Sequence, residues 1–476
     1  MPKFSKVVIV GGGTAGWLTA LHVNKISPES DITLIESETI GILGAGEGSV
    51  PTLTDYLDFL QIDEKEFIKE TNATHKLGIL FDNWNGDGKN YFHSFNVNHQ
   101  KFDYAYDDDG ELVNAYVGYL YKNNLDFSVG EIAEQMARAN KSPFIKQFID
   151  GSNQIANYSY HFDAHLVAKY LRKIAEKRGV KRVEGTVRDF VQDAQGNITK
   201  VNLYSTSLEC DFVFDCSGFR RLIIGELFKS PWKSYTQHLK VNTALTFQIP
   251  QFLDKVEPYT KATCMKNGWM WQIPLQNRIG CGYVYDKNYT TEEEAKLEIE
   301  ELLGHSIEIN NIINFQAGAY EKVWINNCLA IGLSSAFTEP IEATSIFNAI
   351  NQLWSLNKIH FVNYNQSFID SYNTFTNKMN DGVLDFLYFH YLTKRKDTQF
   401  WKDYSETTEI PSGLQQLLDF WKTRLSTIND FILHPFNLHS WLQVGIGLDI
   451  LNKDLFIKAF QNINSFRINE HFRYLR

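Results

Sequence analysis

The chain opens on an apolar run, Lys6-Val7-Val8-Ile9-Val10, that reads as a buried strand. Gly11-Gly12-Gly13-Thr14-Ala15-Gly16 follows at once, and Trp17 to Ile26 then repeats its apolar residues at helical spacing. Asp31-Ile32-Thr33-Leu34-Ile35 reads as a second strand and ends on the acid Glu36, about 20 residues beyond the glycines. This order of strand, glycine turn, helix, strand and acid predicts a βαβ unit that binds a dinucleotide. The first glycine permits a tight turn and the second lets the backbone approach a pyrophosphate. The third lets the helix pack close, its N-terminal amides aimed at the phosphates, while the acid holds a ribose hydroxyl.

Further along, Gly41 to Gly48 forms a second glycine-rich loop, and residues 52–70 read as a helix. Residues 78–130 read as strand-and-turn material, punctuated by Asn85-Gly86-Asp87-Gly88 and Asp107-Asp108-Asp109-Gly110. The acidic triplet lacks the spacing and distal glutamate of a calcium loop, so a solvated turn is expected. Asp163 to Lys177 has helical period and leads to Gly179 as a C-cap. Strands follow near 181–204, with a turn at Ala194-Gln195-Gly196-Asn197. Cys210 to Asp215 is a buried strand closing on Ser217-Gly218. Residues 240–285 alternate as antiparallel strands, and Ala330-Ile331-Gly332 ends another short strand before a helix near 341–360. Residues 366–476 look helical. With no repeat or low-complexity linker, the nucleotide module reads as discontinuous, with a substrate sheet inserted into it.

Composition narrows the class. The 476 residues are 43% hydrophobic and 21% charged, enough for a large core. Aromatic residues reach 14%, which suits aromatic-lined pockets. A net charge of −10 without a long basic run argues against nucleic acid and against anionic membrane as partners. The five cysteines are odd in number and lack CxxC spacing, so reduced buried thiols and no metal site are expected. No apolar run is long enough to cross a bilayer, and the first strand begins almost at Met1. The expectation is a cytoplasmic protein.

Several segments carry chemistry together. Gly11 to Trp17 reads GGGTAGW, and Trp269-Met270-Trp271-Gln272-Ile273-Pro274 fits WxWxIP. Thr74-His75-Lys76-Leu77-Gly78-Ile79, Tyr160-His161-Phe162-Asp163, Asp215-Cys216-Ser217-Gly218-Phe219 and Glu339-Pro340-Ile341-Glu342-Ala343-Thr344 follow the same family pattern. In these segments the chain resembles the flavin-dependent halogenases of the tryptophan halogenase family. The resemblance implies an α/β fold: a doubly wound, Rossmann-like FAD-binding module with an inserted mixed or antiparallel substrate sheet over residues 1–350. A helical region over 351–476 would complete the substrate site.

It also implies an enzyme in which FADH2, O2 and a halide (chloride, bromide or iodide) give hypohalous acid. Lys76 would deliver that species to an electron-rich aromatic ring. Leu77 to Phe81 argue that this lysine opens a buried strand, and burial pushes an ammonium toward its neutral, nucleophilic form. Glu342 would orient the reagent and help take the ring proton, in preference to Glu339. The WxWxIP segment would keep substrate from the flavin, although two core tryptophans on one strand face would give the same pattern.

FAD would meet Gly11, Gly13, Thr14, Ala15, Gly16 and Glu36, then Gly46, Glu47, Gly48, Ser49 and Val50, and finally Gly332 and Leu333. Halide would lie at Thr344 and Ser345, and the arene among His93, Phe95 and Trp441. A separate NAD(P)H-dependent flavin reductase is implied, since no second GxGxxG is evident, and a homo-oligomer is expected. The chain departs from the family at Leu333, where flavin monooxygenases often carry Asp. It departs again at Ala343, often Ser, and at Ser345, often Gly. No clear set of groups for an amino-acid carboxylate and ammonium stands out, so the expected substrate is a small indole- or phenol-like compound. The rivals are a flavin monooxygenase that hydroxylates an arene and a flavin-binding protein without activity.

Overall fold

A computed structural model describes residues 4–37, 46–95, 110–141, 143, 156–252, 256–357 and 361–463. Strand β1 (Lys6–Val10), helix α1 (Thr14–Ile26) and strand β2 (Asp31–Glu36) form the expected unit. β1 and β2 are parallel, with Val7 opposite Ile32 and Val10 opposite Ile35. The full sheet has six strands in the order 324–325, 328–330, 212–215, β1, β2 and 181–184. Alternation along β1 explains why its whole run is apolar. Val7 and Ile9 pack with Trp17 and Leu21 of α1, whereas Val8 and Val10 pack on the other face with Val201, Val213 and Ile223.

A second sheet has seven strands, in the order 309–314, 243–250, 278–285, 268–274, 260–265, 78–82 and 90–94. Period-two alternation sorts its side chains as well. Trp269 and Trp271 share a core with the C-terminal residues Phe386, Trp401 and Trp441, while Met270 faces the helix Glu292–Leu303. Between the two sheets lies a small antiparallel set: 47–48, 159–162 and 74–76. It brings Glu47 opposite Phe162 and Thr74 opposite His161. Among the described residues no helix is long and apolar enough to cross a membrane. All five cysteines are buried and unpaired, and no metal-ligating cluster is found there.

Four sequence readings change. The helix expected over 52–70 is two helices, Thr52–Phe59 and Glu64–Thr71. Gln61 turns left-handed between them, and Asp63 caps the second by accepting from the Glu66 amide at 2.8 Å. Residues 78–130 are not all strand and turn, because Glu111–Asn123 is a helix. It lies so close to the helix Lys453–Asn462 that a Cβ at Gly118 would be 1.9 Å from the Phe456 carbonyl oxygen, and such packing overrides weak local propensity. The helix expected near 341–360 begins only at Thr344 and ends at Trp354. Lys76 does not open a buried strand: it ends strand 74–76, and the next strand, 78–82, belongs to the other sheet. Residues 41–45 of the second glycine loop, Asp107 to Asp109 and residues 464–476 lie outside the described residues.

Candidate active site

The glycines of the first turn make a cradle. Gly11 sits at φ 123°, and its amide donates to the Ile35 carbonyl at 2.9 Å. A Cβ there would lie 2.0 Å from the Cys216 carbonyl oxygen, and one at Gly16 would lie 1.9 Å from the Gly11 carbonyl. A Cβ at Gly13 would meet nothing within 4 Å. No side chain caps the first turn of α1, which leaves its amides facing that open space, the arrangement an anionic pyrophosphate needs. Gly11→Ala is expected to lower stability by roughly 2–4 kcal/mol through clash and positive φ. A thermal melt with and without FAD would check it.

Glu36 lies over this cradle, its carboxylate within reach of a Cβ built at Gly12. Arg172 holds it at 3.2 Å, and Arg182 donates a short bond to the same oxygen. Neither arginine carries a sequence signal, yet both fix the acid that would meet a ribose. Gly332 takes a positive φ of 70° and comes against Ala15, and its amide donates to Gln352 Oε1 at 3.2 Å. Leu333 follows in the same short 3-10 turn. The residues around the cradle thus fit the dinucleotide end of FAD, with Gly13, Thr14 and Ala15 at the open helix end.

The small central sheet carries the next groups. The Ser49 hydroxyl donates to the Tyr160 carbonyl at 2.8 Å, which fixes the segment from Gly46 to Val50. A Cβ at Gly48 would be 3.1 Å from Lys76 Nζ and 3.4 Å from Thr260 Oγ1. The second glycine segment and the lysine are therefore neighbours. Thr74 donates to the Pro274 carbonyl at 2.6 Å, which ties the lysine strand to the end of the WxWxIP segment. His161 bridges Thr74 Oγ1 at 3.2 Å and Thr260 Oγ1 at 2.9 Å, and burial holds its imidazole neutral.

Lys76 is 1% exposed. Its Nζ lies 5.4 Å from the Phe95 ring centre, and among the described residues it makes no hydrogen bond or ion pair. Burial pushes the ammonium down to about 8, against the opposing pull of Glu342. In the unfolded chain the amine titrates near its usual value of about 10.4, so the unfolded state binds more protons between the two. Stability should therefore rise with pH across that window. The penalty is fully present below the folded value and amounts to roughly 3 kcal/mol. Lys76→Met should accordingly melt higher than the parent at neutral pH, with the gap closing as pH rises. Melts across that range would measure it.

Glu342 is 1% exposed and sits in the turn before the helix Thr344–Trp354. His93 Nδ1 reaches its two oxygens at 2.9 and 3.1 Å, and His390 Nε2 reaches Oε1 at 2.8 Å. Burial alone would raise the carboxyl, but His93 and His390 together hold it at about 2. Glu339 is committed elsewhere. One oxygen accepts from Trp269 Nε1 at 3.1 Å and Tyr391 Oη at 2.5 Å, and burial pushes its carboxyl up to about 7. Ala343 adopts left-handed φ 55° and no side chain caps the helix it precedes. The amides of Thr344 and Ser345 thus stand at an open helix end that favours an anion. Thr344 Oγ1 pairs with Thr338 Oγ1 at 3.0 Å.

His93 and Phe95 are both buried, as is Trp441. Phe386 packs against both His93 and Trp441, its ring centre 5.7 Å from the His93 ring and 4.9 Å from Trp441. Sequence reasoning missed His390 and Tyr391, the two residues that close the carboxylate contacts from the long helix Gln366–Phe389.

Solved structures with this fold include flavin-dependent halogenases, so the chain is an enzyme of that class. The family model for tryptophan halogenase matches residues 6–459. The chain belongs to the tryptophan halogenase family. It is 36% identical over 457 residues to tryptophan 7-halogenase RebH of Lentzea aerocolonigenes, covering 89% of this chain and 83% of that protein. The crystal structure of tryptophan 6-halogenase SttH from Streptomyces toxytricini superposes with a TM-score of 0.84 at 31% identity, over 99% of this chain and 97% of that one. A tryptophan halogenase from Shewanella frigidimarina gives 0.87 at 26% identity, over 100% and 93%.

Proposed function

We propose that the chain halogenates a small electron-rich arene, indole- or phenol-like, by carrying hypohalous acid from the flavin side to the substrate through Lys76. The observation that carries this reading is the placement of a buried ammonium beside Gly48 on one side and within the field of Glu342 on the other. Bound FAD in its reduced form would supply hypohalous acid from O2 and halide. A separate NAD(P)H-dependent flavin reductase would provide the reduced flavin.

The chain's own residues do the rest. Gly11, Gly13, Thr14, Ala15, Gly16 and Glu36 hold the dinucleotide, and Gly46 to Val50 with Gly332 and Leu333 line its other end. The amides of Thr344 and Ser345 hold the halide. Lys76 either donates a hydrogen bond to hypohalous acid or captures the halogen on its neutral amine, which a value near 8 makes accessible. Phe95 covers that amine. Trp269, fixed by Glu339, walls off the route so that only a small reagent passes. Glu342 faces the reagent as a carboxylate and takes the ring proton. An arenium ion is acidic enough that even a weakly basic carboxylate accepts from it.

The test is product analysis with FAD, NADH, a generic flavin reductase and a mixed set of indoles and phenols, free tryptophan included, with and without halide. Haloarenes that require halide support the reading. Hydroxylated products formed without halide would favour the monooxygenase.

A further inference from the structure

We propose that Glu342 and His390 hold one extra proton between them and use it as a reservoir for halogen transfer, with His390 as the positioning residue behind the carboxylate. The proposal rests on the halogenase reading and deepens it.

His390 Nδ1 lies 2.9 Å from the Phe386 carbonyl oxygen, and Nε2 lies 2.8 Å from Glu342 Oε1. A carbonyl oxygen only accepts, and so does an ionised carboxylate. Both ring nitrogens must therefore carry hydrogen, or else the second hydrogen sits on Glu342 and points at Nε2. Either way the pair contains one proton more than a neutral imidazole beside a carboxylate.

The surroundings place that proton on the ring. His390 is the C-cap of the 24-residue helix Gln366–Phe389, where terminal carbonyls favour a cation. The Phe81 and Phe386 rings lie 4.9 and 5.0 Å from it, and aromatic rings tolerate a cation. His93, from strand 90–94, approaches the carboxylate separately, and a neutral ring with hydrogen on Nδ1 satisfies that bond. The other titratable groups acting on Glu342 are Lys76, from strand 74–76, and Tyr91, from strand 90–94.

The stored proton has a use. Hypohalous acid carries the halogen on oxygen. As the ring's π pair forms the carbon–halogen bond, the oxygen–halogen pair stays with oxygen. Glu342 relays the shared proton to that oxygen and water leaves. The ring proton then passes to Glu342, and His390 regains its own. The sum is Ar–H + HO–X → Ar–X + H2O, with the pair unchanged.

Nuclear magnetic resonance of isotope-labelled histidine nitrogens tests this in the full-length protein. At neutral pH, His390 should have both nitrogens protonated. Its signal should be missing in His390→Gln and should become singly protonated in Glu342→Gln. If His390→Gln does not fold, His93→Gln takes its place: a doubly protonated signal that survives His93→Gln and is lost in Glu342→Gln belongs to His390. A His390 with one bare nitrogen at neutral pH overturns the proposal. In turnover, His390→Gln should lower kcat for haloarene by roughly 10- to 100-fold with the arene KM unchanged. An unchanged kcat overturns the proton role. A parent protein that makes no haloarene sinks the halogenase reading instead, while the nitrogen spectrum still decides the pair.

Discussion

Replacing Glu342 by Gln should lower the rate of haloarene formation by roughly 100- to 1,000-fold while FAD binding stays unchanged. The substitution keeps the volume and removes the charge. In the parent, one carboxylate takes hydrogen bonds from His93 and His390 at 2.8–3.1 Å. Both histidines reach Oε1, at 2.9 and 2.8 Å, and a glutamine N–H group would replace the oxygen that His93 reaches at 3.1 Å. A neutral amide no longer pairs with a charged imidazole and repels the His93 donor from one side, so the side chain proposed to face the reagent loses its charge. Steady-state product formation checks this, with flavin titration as the control. A Glu342→Gln enzyme that works at the parent rate would remove Glu342 from the chemistry. Glu339→Gln should act differently, because that side chain serves Trp269 and Tyr391, and its carboxyl, pushed up to about 7, is already about half protonated at neutral pH.

Lys76→Ala should be the more severe change, lowering haloarene formation on the order of 1,000-fold or beyond. The amine is fully buried, and among the described residues it is bonded to nothing. A folded protein gains nothing from such a group, because it forfeits stability to keep a charge out of water. Its retention therefore points to use. Alanine leaves the glycine cradle and the Gly48 segment untouched, so reduced flavin should still be consumed with O2 at the parent rate. The halogen should then appear as free hypohalous acid, since nothing between Gly48 and the arene captures it. The volume-conserving Lys76→Met, which should melt above the parent at neutral pH, should show the same defect, and loss of stability is then not its cause.

Much of this site is written in contiguous motifs, and those were legible. Lys76, Glu342 and the glycines each lie in a short segment whose neighbours have a fixed relation to the chemistry. The first βαβ unit was equally plain, because an apolar run, a glycine turn and an acid must follow one another along the chain. What escaped was what the fold brings together from afar. His390 meets Glu342 across 48 residues and His93 meets it across 249, and nothing near His390 marks a helix end that faces a carboxylate. Arg172 and Arg182 reach Glu36 from 136 and 146 residues away for the same reason. The place of Lys76 is not legible because the apolar residues after it do form a strand, Gly78–Asp82, but one in a different sheet. The chain steps between two sheets at Leu77, whose amide bonds to the Pro258 carbonyl, and apolar periodicity carries no information about that step. The helix 111–123 escaped because the surface it packs on comes from Lys453–Asn462, at the other end of the chain.

Transfer of the halogen through Lys76 is tested by following its fate in parent and Lys76→Ala protein side by side. Each would receive reduced FAD, O2, bromide and an indole, with a thioether present to trap free hypobromous acid as sulfoxide. The parent should give bromoindole with little sulfoxide, and Lys76→Ala should give sulfoxide with almost no bromoindole at equal flavin consumption. Equal yields of bromoindole from both proteins would contradict it.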